Sequence, residues 1–252
     1  MAELRNKDKI RSELVPVIQA LIDDTFSAAQ KAGRSLRAAV MFGSVTGKDF
    51  IPGKSDVNIF MVFDATDINL LDALRPVFDR HFKKLKARPV VVDSDFVGNS
   101  SDVFPMEFLE WKERSLAVFG ENPLDAIEIS FANLRHQIEE NIRGKRLRLV
   151  QSYFEIGPKP AKLQPFIEET LPNFLAVFGN IVRLAGRTPQ RDAGLLFDEV
   201  ERVSGVTLKS IRELQNVKKG RTRLREDELK RLFEGYIAEL KQLILYVDKI
   251  EA

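Results

Sequence analysis

Two short stretches of this chain carry residue types suited to handling phosphate. The first is Gly43-Ser44, which closes an apolar run over residues 36–42. The second is Asp56-Val57-Asn58, which opens another apolar run after eleven intervening residues. A Gly-Ser pair at the end of a strand lets the backbone approach a bulky anion, and it adds N–H and hydroxyl donors there. Positions 56 and 58 are two apart on a strand, so they project from one face. Oxygen ligands at those positions could hold a hard divalent cation, Mg²⁺, against a polyphosphate. The ion would activate an attacking oxygen and neutralise charge on the leaving group. Asn58 offers an oxygen without a charge. Losing one charge beside such an ion costs several kcal/mol before relaxation, since near-surface Coulomb terms are about 4 kcal/mol at 4 Å.

The elements that must position these residues follow from hydrophobic period. Residues 9–31 read as a helix, 36–42 as a buried strand, 45–55 as a loop, 56–63 as a second strand and 68–85 as a second helix. Residues 89–92 make a third short strand. The stretch 104–111 fits either a strand or a helix starting near Pro105, and 116–120 is a short apolar end before a turn. Beyond residue 124 the pattern becomes helical, over roughly 127–155, 162–185, 190–203, 207–217 and 226–250. Gly157-Pro158 breaks the first of these from the next. The expected class is α+β: a mixed sheet with flanking helices over 1–123, then an all-helical bundle over 124–252.

Composition narrows the chemistry. The 252 residues hold no cysteine and two histidines. Disulfides, thiolate nucleophiles and zinc-thiolate centres are excluded, and any metal must be a hard ion on oxygen ligands. The 39 basic and 37 acidic side chains nearly cancel, which argues against nucleic acid as a partner. The charged N-terminal residues lack a signal core. No apolar run reaches the roughly 18 residues of a membrane span. A soluble, cytoplasmic protein is expected.

The pattern over residues 36–63 resembles the DNA polymerase beta-like nucleotidyltransferase superfamily, whose signature is Gly-Ser, a spacer of this length, then Asp-x-Asp or Asp-x-Glu with apolar neighbours. The rest is similar to uncharacterised bacterial nucleotidyltransferase-domain proteins, through Asp102-Val103-Phe104-Pro105-Met106-Glu107-Phe108, Val118-Phe119-Gly120, Leu134-Arg135 and Arg143-Gly144-Lys145. The resemblance implies a nucleotidyltransferase-type fold that binds a nucleoside triphosphate and transfers a nucleotidyl group to a small-molecule or protein hydroxyl. It implies Gly43 and Ser44, with the neighbouring Lys54 and Ser55, as phosphate contacts. Asp56 and Asn58 take the place of the metal-binding pair. Glu107 is the candidate third carboxylate and base, with Asp93, Asp95 and Glu110 as alternatives on or near a neighbouring strand. Asn58 stands where the family has a carboxylate, which sets a second expectation beside transfer: a lapsed enzyme acting as a nucleotide-binding or protein-binding module. No acceptor is singled out.

Lys145 lies beside the apolar stripe of its helix. It either reaches phosphate or snorkels at the stripe's border. Arg135 and Arg143 read as solvated charges, the basic stretch 218–223 as a surface loop, and His81 and His136 as surface residues. Leu229, Leu232, Phe233, Tyr236, Leu240, Leu243 and Val247 form a broad stripe, explained by packing within the bundle. Pairing with a second copy or another protein is left open as a role for the helical half.

Overall fold

A computed structural model describes residues 2–47, 50–52 and 54–250, the side chain of Lys84 aside. Positions 48, 49 and 53 of the loop before Asp56 therefore lie outside the described residues. The chain divides into two compact units, Met1–Ile129 and Ser130–Ala252.

The first unit carries the sheet. Helix α1 (Val15–Lys31) starts six residues later than its apolar period suggests. Pro16 explains this: proline fits the first turn of a helix, where its missing N–H is not needed, but would break an interior. Residues 7–9 instead make a single 3₁₀ turn. Strand β1 (Leu36–Phe42) runs into a 3₁₀ turn at Gly43–Thr46. Strand β2 (Val57–Phe63), helix α2 (Ile68–Leu85) and strand β3 (Ala87–Asp93) follow. After these come α3 (Ser94–Asn99), α4 (Pro105–Glu113) and β4 (Ser115–Phe119). The ambiguous stretch 104–111 is thus helical, with Pro105 in its first turn.

The strands lie in the order β3-β2-β1-β4. β1 is antiparallel to β2 and to β4, whereas β2 and β3 are parallel, joined through α2. Both faces are covered. On one, Val57, Ile59, Met61 and Phe63 pack in a core with Ile18, Leu21, Leu70 and Leu74. On the other, Val40, Phe42, Phe60 and Val62 meet Phe108 and the half-buried Trp111. The Trp111 ring lies 4.8 Å from that of Phe60 and 5.0 Å from that of Phe108. Burial on both faces is why β2 reads as a continuous apolar run, with no alternation. Asn58 is the one residue of β2 that is not buried.

His81 departs from its expected surface position. It is 3% exposed, and its Nε2 lies 2.9 Å from Asp24 Oδ2 on α1. The spacing of Leu74, Val77, His81 and Leu85 puts it on the buried stripe of α2, which its charged neighbours in sequence obscure. His136 is exposed as expected.

The second unit is helical: α5 (Phe131–Ile156), α6 (Pro160–Leu184), α7 (Ala193–Ser204), α8 (Lys209–Gly220) and α9 (Glu226–Asp248). α5 packs on α6 and α9, α6 on α7, and α8 on α9. Every member of the predicted α9 stripe is buried. The basic stretch 218–223 begins inside α8, and Lys218 donates to the Glu168 carbonyl of α6 at 2.6 Å.

Candidate functional site

The end of the sheet at the start of β2 gathers the polar residues of interest. Phe42 pairs with Asn58 across β1 and β2, and with Ser115 across β1 and β4. Asn58 is in register with Arg88 across β2 and β3. One row therefore crosses the four strands as Arg88, Asn58, Phe42 and Ser115. The period of two puts Asn58 on the same face as Phe60 and Val62, and Arg88 on the same face as Val90 and Val92, the side that packs on Phe108. Asp56, two residues before Asn58, belongs to that side as well.

Asp56 is held by a cation. Arg88 Nε donates to Asp56 Oδ2 at 3.2 Å. The Arg88 side chain is 60% exposed and that of Asp56 40%. An exposed pair of this kind nets roughly 0.2–1 kcal/mol, so it orients both groups without locking either. The guanidinium also lies 5.6 Å from the ring of Phe82. Lys86, two residues earlier on the same edge, donates from Nζ to the Lys54 carbonyl at 3.2 Å. Its own carbonyl accepts the Val57 amide. The loop leading to Asp56 is thus tied to the start of β3 by Lys86 and Arg88 together.

Gly43 begins the turn after β1 in a left-handed conformation, φ +78°. Thr46 fastens that turn, its hydroxyl donating to the carbonyls of Gly43 and Arg114, both at 2.9 Å. Ser44 is half-buried, and its carbonyl accepts the Gly47 amide. In the loop, Ser55 Oγ accepts the Ile51 amide at 3.1 Å, and Lys54 is exposed. Gly43, Ser44, Lys54, Ser55, Asp56 and Asn58 are therefore all at one end of one sheet.

Glu107 lies on α4, which packs against β1 and the Gly43–Thr46 turn, and Lys145 lies on α5. Glu107 is on the first turn of α4, a helix, while the strand that follows presents Ser115 opposite Phe42. Asp93 pairs with Phe63 at the opposite end of β2, about 16 Å along the strand from Arg88 at the usual rise per residue. There it caps α3, accepting the Phe96 amide at 2.9 Å and the Thr66 hydroxyl at 2.8 Å. Asp95 accepts from Asn99 on α3. Glu110 is exposed on α4. Among the described residues, no three acidic or histidine side chains come together as a metal-holding group.

Lys145 belongs to the second unit. Its ammonium donates to Asn141 Oδ1 at 2.9 Å. With Arg148 and Ser152 of α5 and Thr170 and Asn173 of α6, it lines a hollow of about 500 Å³. Arg135 and Arg143 both bond Glu139 on the same helix, at 3.1 and 2.7 Å. Burial raises the Glu139 carboxyl, but these guanidinium contacts outweigh it and hold the group below its ordinary range.

The sequence reading missed Arg88. It lies at the start of an apolar strand, and no local signal says that a parallel partner will set it beside Asn58 and Asp56.

No family model matches the chain, and no curated protein matches it in sequence. Among solved structures it resembles a spectinomycin adenyltransferase from Enterococcus faecialis, solved with ATP and spectinomycin. The TM-score is 0.53 at 10% identity, covering 90% of this chain and 99% of that one. This chain has a nucleotidyltransferase-type fold. Coverage of that extent takes in residues of both units, the sheet and the helices alike. On this nucleotidyltransferase-type fold, the expected pair at positions 56 and 58 consists of one carboxylate and one amide. The register neighbour of that amide is a guanidinium. No helix among the described residues is long and apolar enough to cross a membrane.

Proposed function

We propose that this chain is a nucleotide-binding protein on a nucleotidyltransferase-type fold whose transfer chemistry has lapsed. The fold and the Gly43-Ser44 turn support a nucleoside triphosphate as ligand. The lapse rests on a single observation: Arg88 is bonded to Asp56 beside Asn58. Two-metal transfer needs clustered negative charge to hold Mg²⁺ against the triphosphate. Summed over Asp56, Asn58 and Arg88, the formal charge here is zero. A divalent ion would have to share its one carboxylate with a guanidinium, and would gain only a neutral oxygen from Asn58. The donor set does not fit the ion that the family resemblance implies. On this reading the protein binds nucleotide as a regulatory or recognition module, and no acceptor is needed.

Calorimetry with ATP, GTP, CTP and UTP, with and without Mg²⁺, tests the ligand. Pyrophosphate release from each tests the chemistry. Binding without pyrophosphate release is the expected result. Release that depends on Mg²⁺ and disappears in Asp56→Ala would restore the enzyme reading. Absence of binding to all four nucleotides would remove nucleotide recognition altogether.

A further inference from the structure

The residues around Asp56 do more than disfavour a metal; they supply a replacement for its charge. We infer that Arg88 is the cation that meets the triphosphate, so that nucleotide binds here without a divalent ion. The inference rests on the nucleotide-binding reading above and specifies how that site works.

Three observations carry it. First, Arg88 is in register with Asn58 and bonded to Asp56, so its guanidinium stands among the residues where a metal would be held. Second, it is anchored but not used up. Nε is spent on Asp56, and the side chain lies over the Phe82 ring, while neither Nη makes a hydrogen bond among the described residues. A guanidinium has five N–H donors in a planar fork, matched to two oxygens of a phosphate. Asp56 then works as an orienting group, which holds the fork in place without consuming it. Third, the side chain is 60% exposed, which leaves it open to a ligand. Lys86, whose ammonium donates to the Lys54 backbone carbonyl, adds positive charge nearby. A cation oriented by an acid and an aromatic face suits a polyanion, because charge-assisted bidentate bonds to phosphate are among the strongest polar contacts.

The sign of the metal effect separates this arrangement from an ordinary nucleotidyltransferase site. Mg²⁺ neutralises part of a triphosphate's charge, so it should weaken attraction to Arg88 and not create it. The test is calorimetric titration of the full chain with ATP, in EDTA and in excess Mg²⁺ at matched ionic strength. The wild-type protein and Arg88→Ala, Arg88→Lys and the double variant Asn58→Asp with Arg88→Glu are compared, and folding of each is checked by circular dichroism. The wild type should bind ATP in EDTA at least as tightly as with Mg²⁺. Arg88→Ala should weaken binding in EDTA by about tenfold or more, and Arg88→Lys by less, because lysine keeps the charge but loses the fork. The double variant should bind only with Mg²⁺. Equal binding by wild type and Arg88→Ala would overturn the inference. Binding by the wild type only with Mg²⁺ would also overturn it, while leaving the nucleotide-binding reading intact. Absence of binding in both conditions would overturn both.

Discussion

A Cβ placed on Gly43 would lie 3.2 Å from Nδ2 of Asn58. The contact arises because Asn58 pairs with Phe42, the residue just before Gly43, and so stands against the turn that leaves β1. Gly43 also has φ +78°, a conformation that side-chain-bearing residues seldom adopt. Gly43→Ala should therefore destabilise the fold by about 1–3 kcal/mol. The shift is read as a lower urea midpoint with an unchanged slope. An unaltered midpoint would show that the turn relaxes freely.

Helices α8 and α9 pack closely where Gly235 faces Ser210. A Cβ on Gly235 would lie 2.8 Å from Ser210 Cβ and closer still to its hydroxyl. One turn further along α9, the buried Glu239 carboxylate accepts the Ser210 and Ile211 amides at 2.6 and 3.0 Å. It satisfies donors at the start of α8 that have no partner within the helix. Gly235→Ala should cost about 1–3 kcal/mol through overpacking. Glu239→Ala should cost a similar 1–3 kcal/mol by stranding one buried and one part-buried donor. Thermal melts of the two variants measure both effects. Combining Gly235→Ala with Ser210→Gly should recover part of the first loss.

Arg212 ties α8 to α7. It donates to Asp198 at 2.5 Å and to Glu201 at 2.7 Å, and lies 5.5 Å from the Phe197 ring. Burial raises the Glu201 carboxyl, but Arg212 and the Leu208 amide outweigh it and leave the group below its ordinary range. Arg212→Met removes the cation while Glu201 stays partly buried, at an expected cost of about 1–2 kcal/mol at neutral pH. Lowering the pH should narrow the gap between variant and wild type, because the stranded carboxylate can then protonate. A gap that is constant with pH would argue that only packing was lost.

Three helix caps contribute to the acid response. The Asp93 carboxyl is held below its ordinary range by the Phe96 amide and the Thr66 hydroxyl. The Leu70 amide and Arg34 do the same for Asp67, and the Leu195 and Gly194 amides for Asp192. A group whose folded pKa is depressed contributes stability that is complete above its unfolded pKa. That contribution is lost as pH falls through the folded pKa. Stability should thus decline as pH falls below about 4, the ordinary aspartate value. Asp93→Asn keeps a capping oxygen but cannot titrate, so it should flatten part of that decline. Denaturant titrations between pH 5 and 3 measure the slope, and an identical slope in the variant would refute the assignment.

The sequence by itself determined most of the element types, the stretch 104–111 excepted, and the site's first half. Helix α2 and strand β1 fall where their apolar periods end, because Asp67 caps one and Gly43 stops the other. The Gly43-Ser44 and Asp56-Val57-Asn58 stretches point to one end of a sheet, since a strand's period of two fixes which residues share a face. Local pattern misled at the start of α1, where Pro16 overrode the period. It also misled at His81, whose charged neighbours hid a place on the buried stripe. What only the tertiary structure decided is the register between β2 and β3. Those parallel strands are separated in sequence by α2, and nothing local specifies which residues will stand side by side. That register sets Arg88 against Asn58 and beside Asp56, and turns an expected metal-binding pair into a neutral cluster with a cation at its centre.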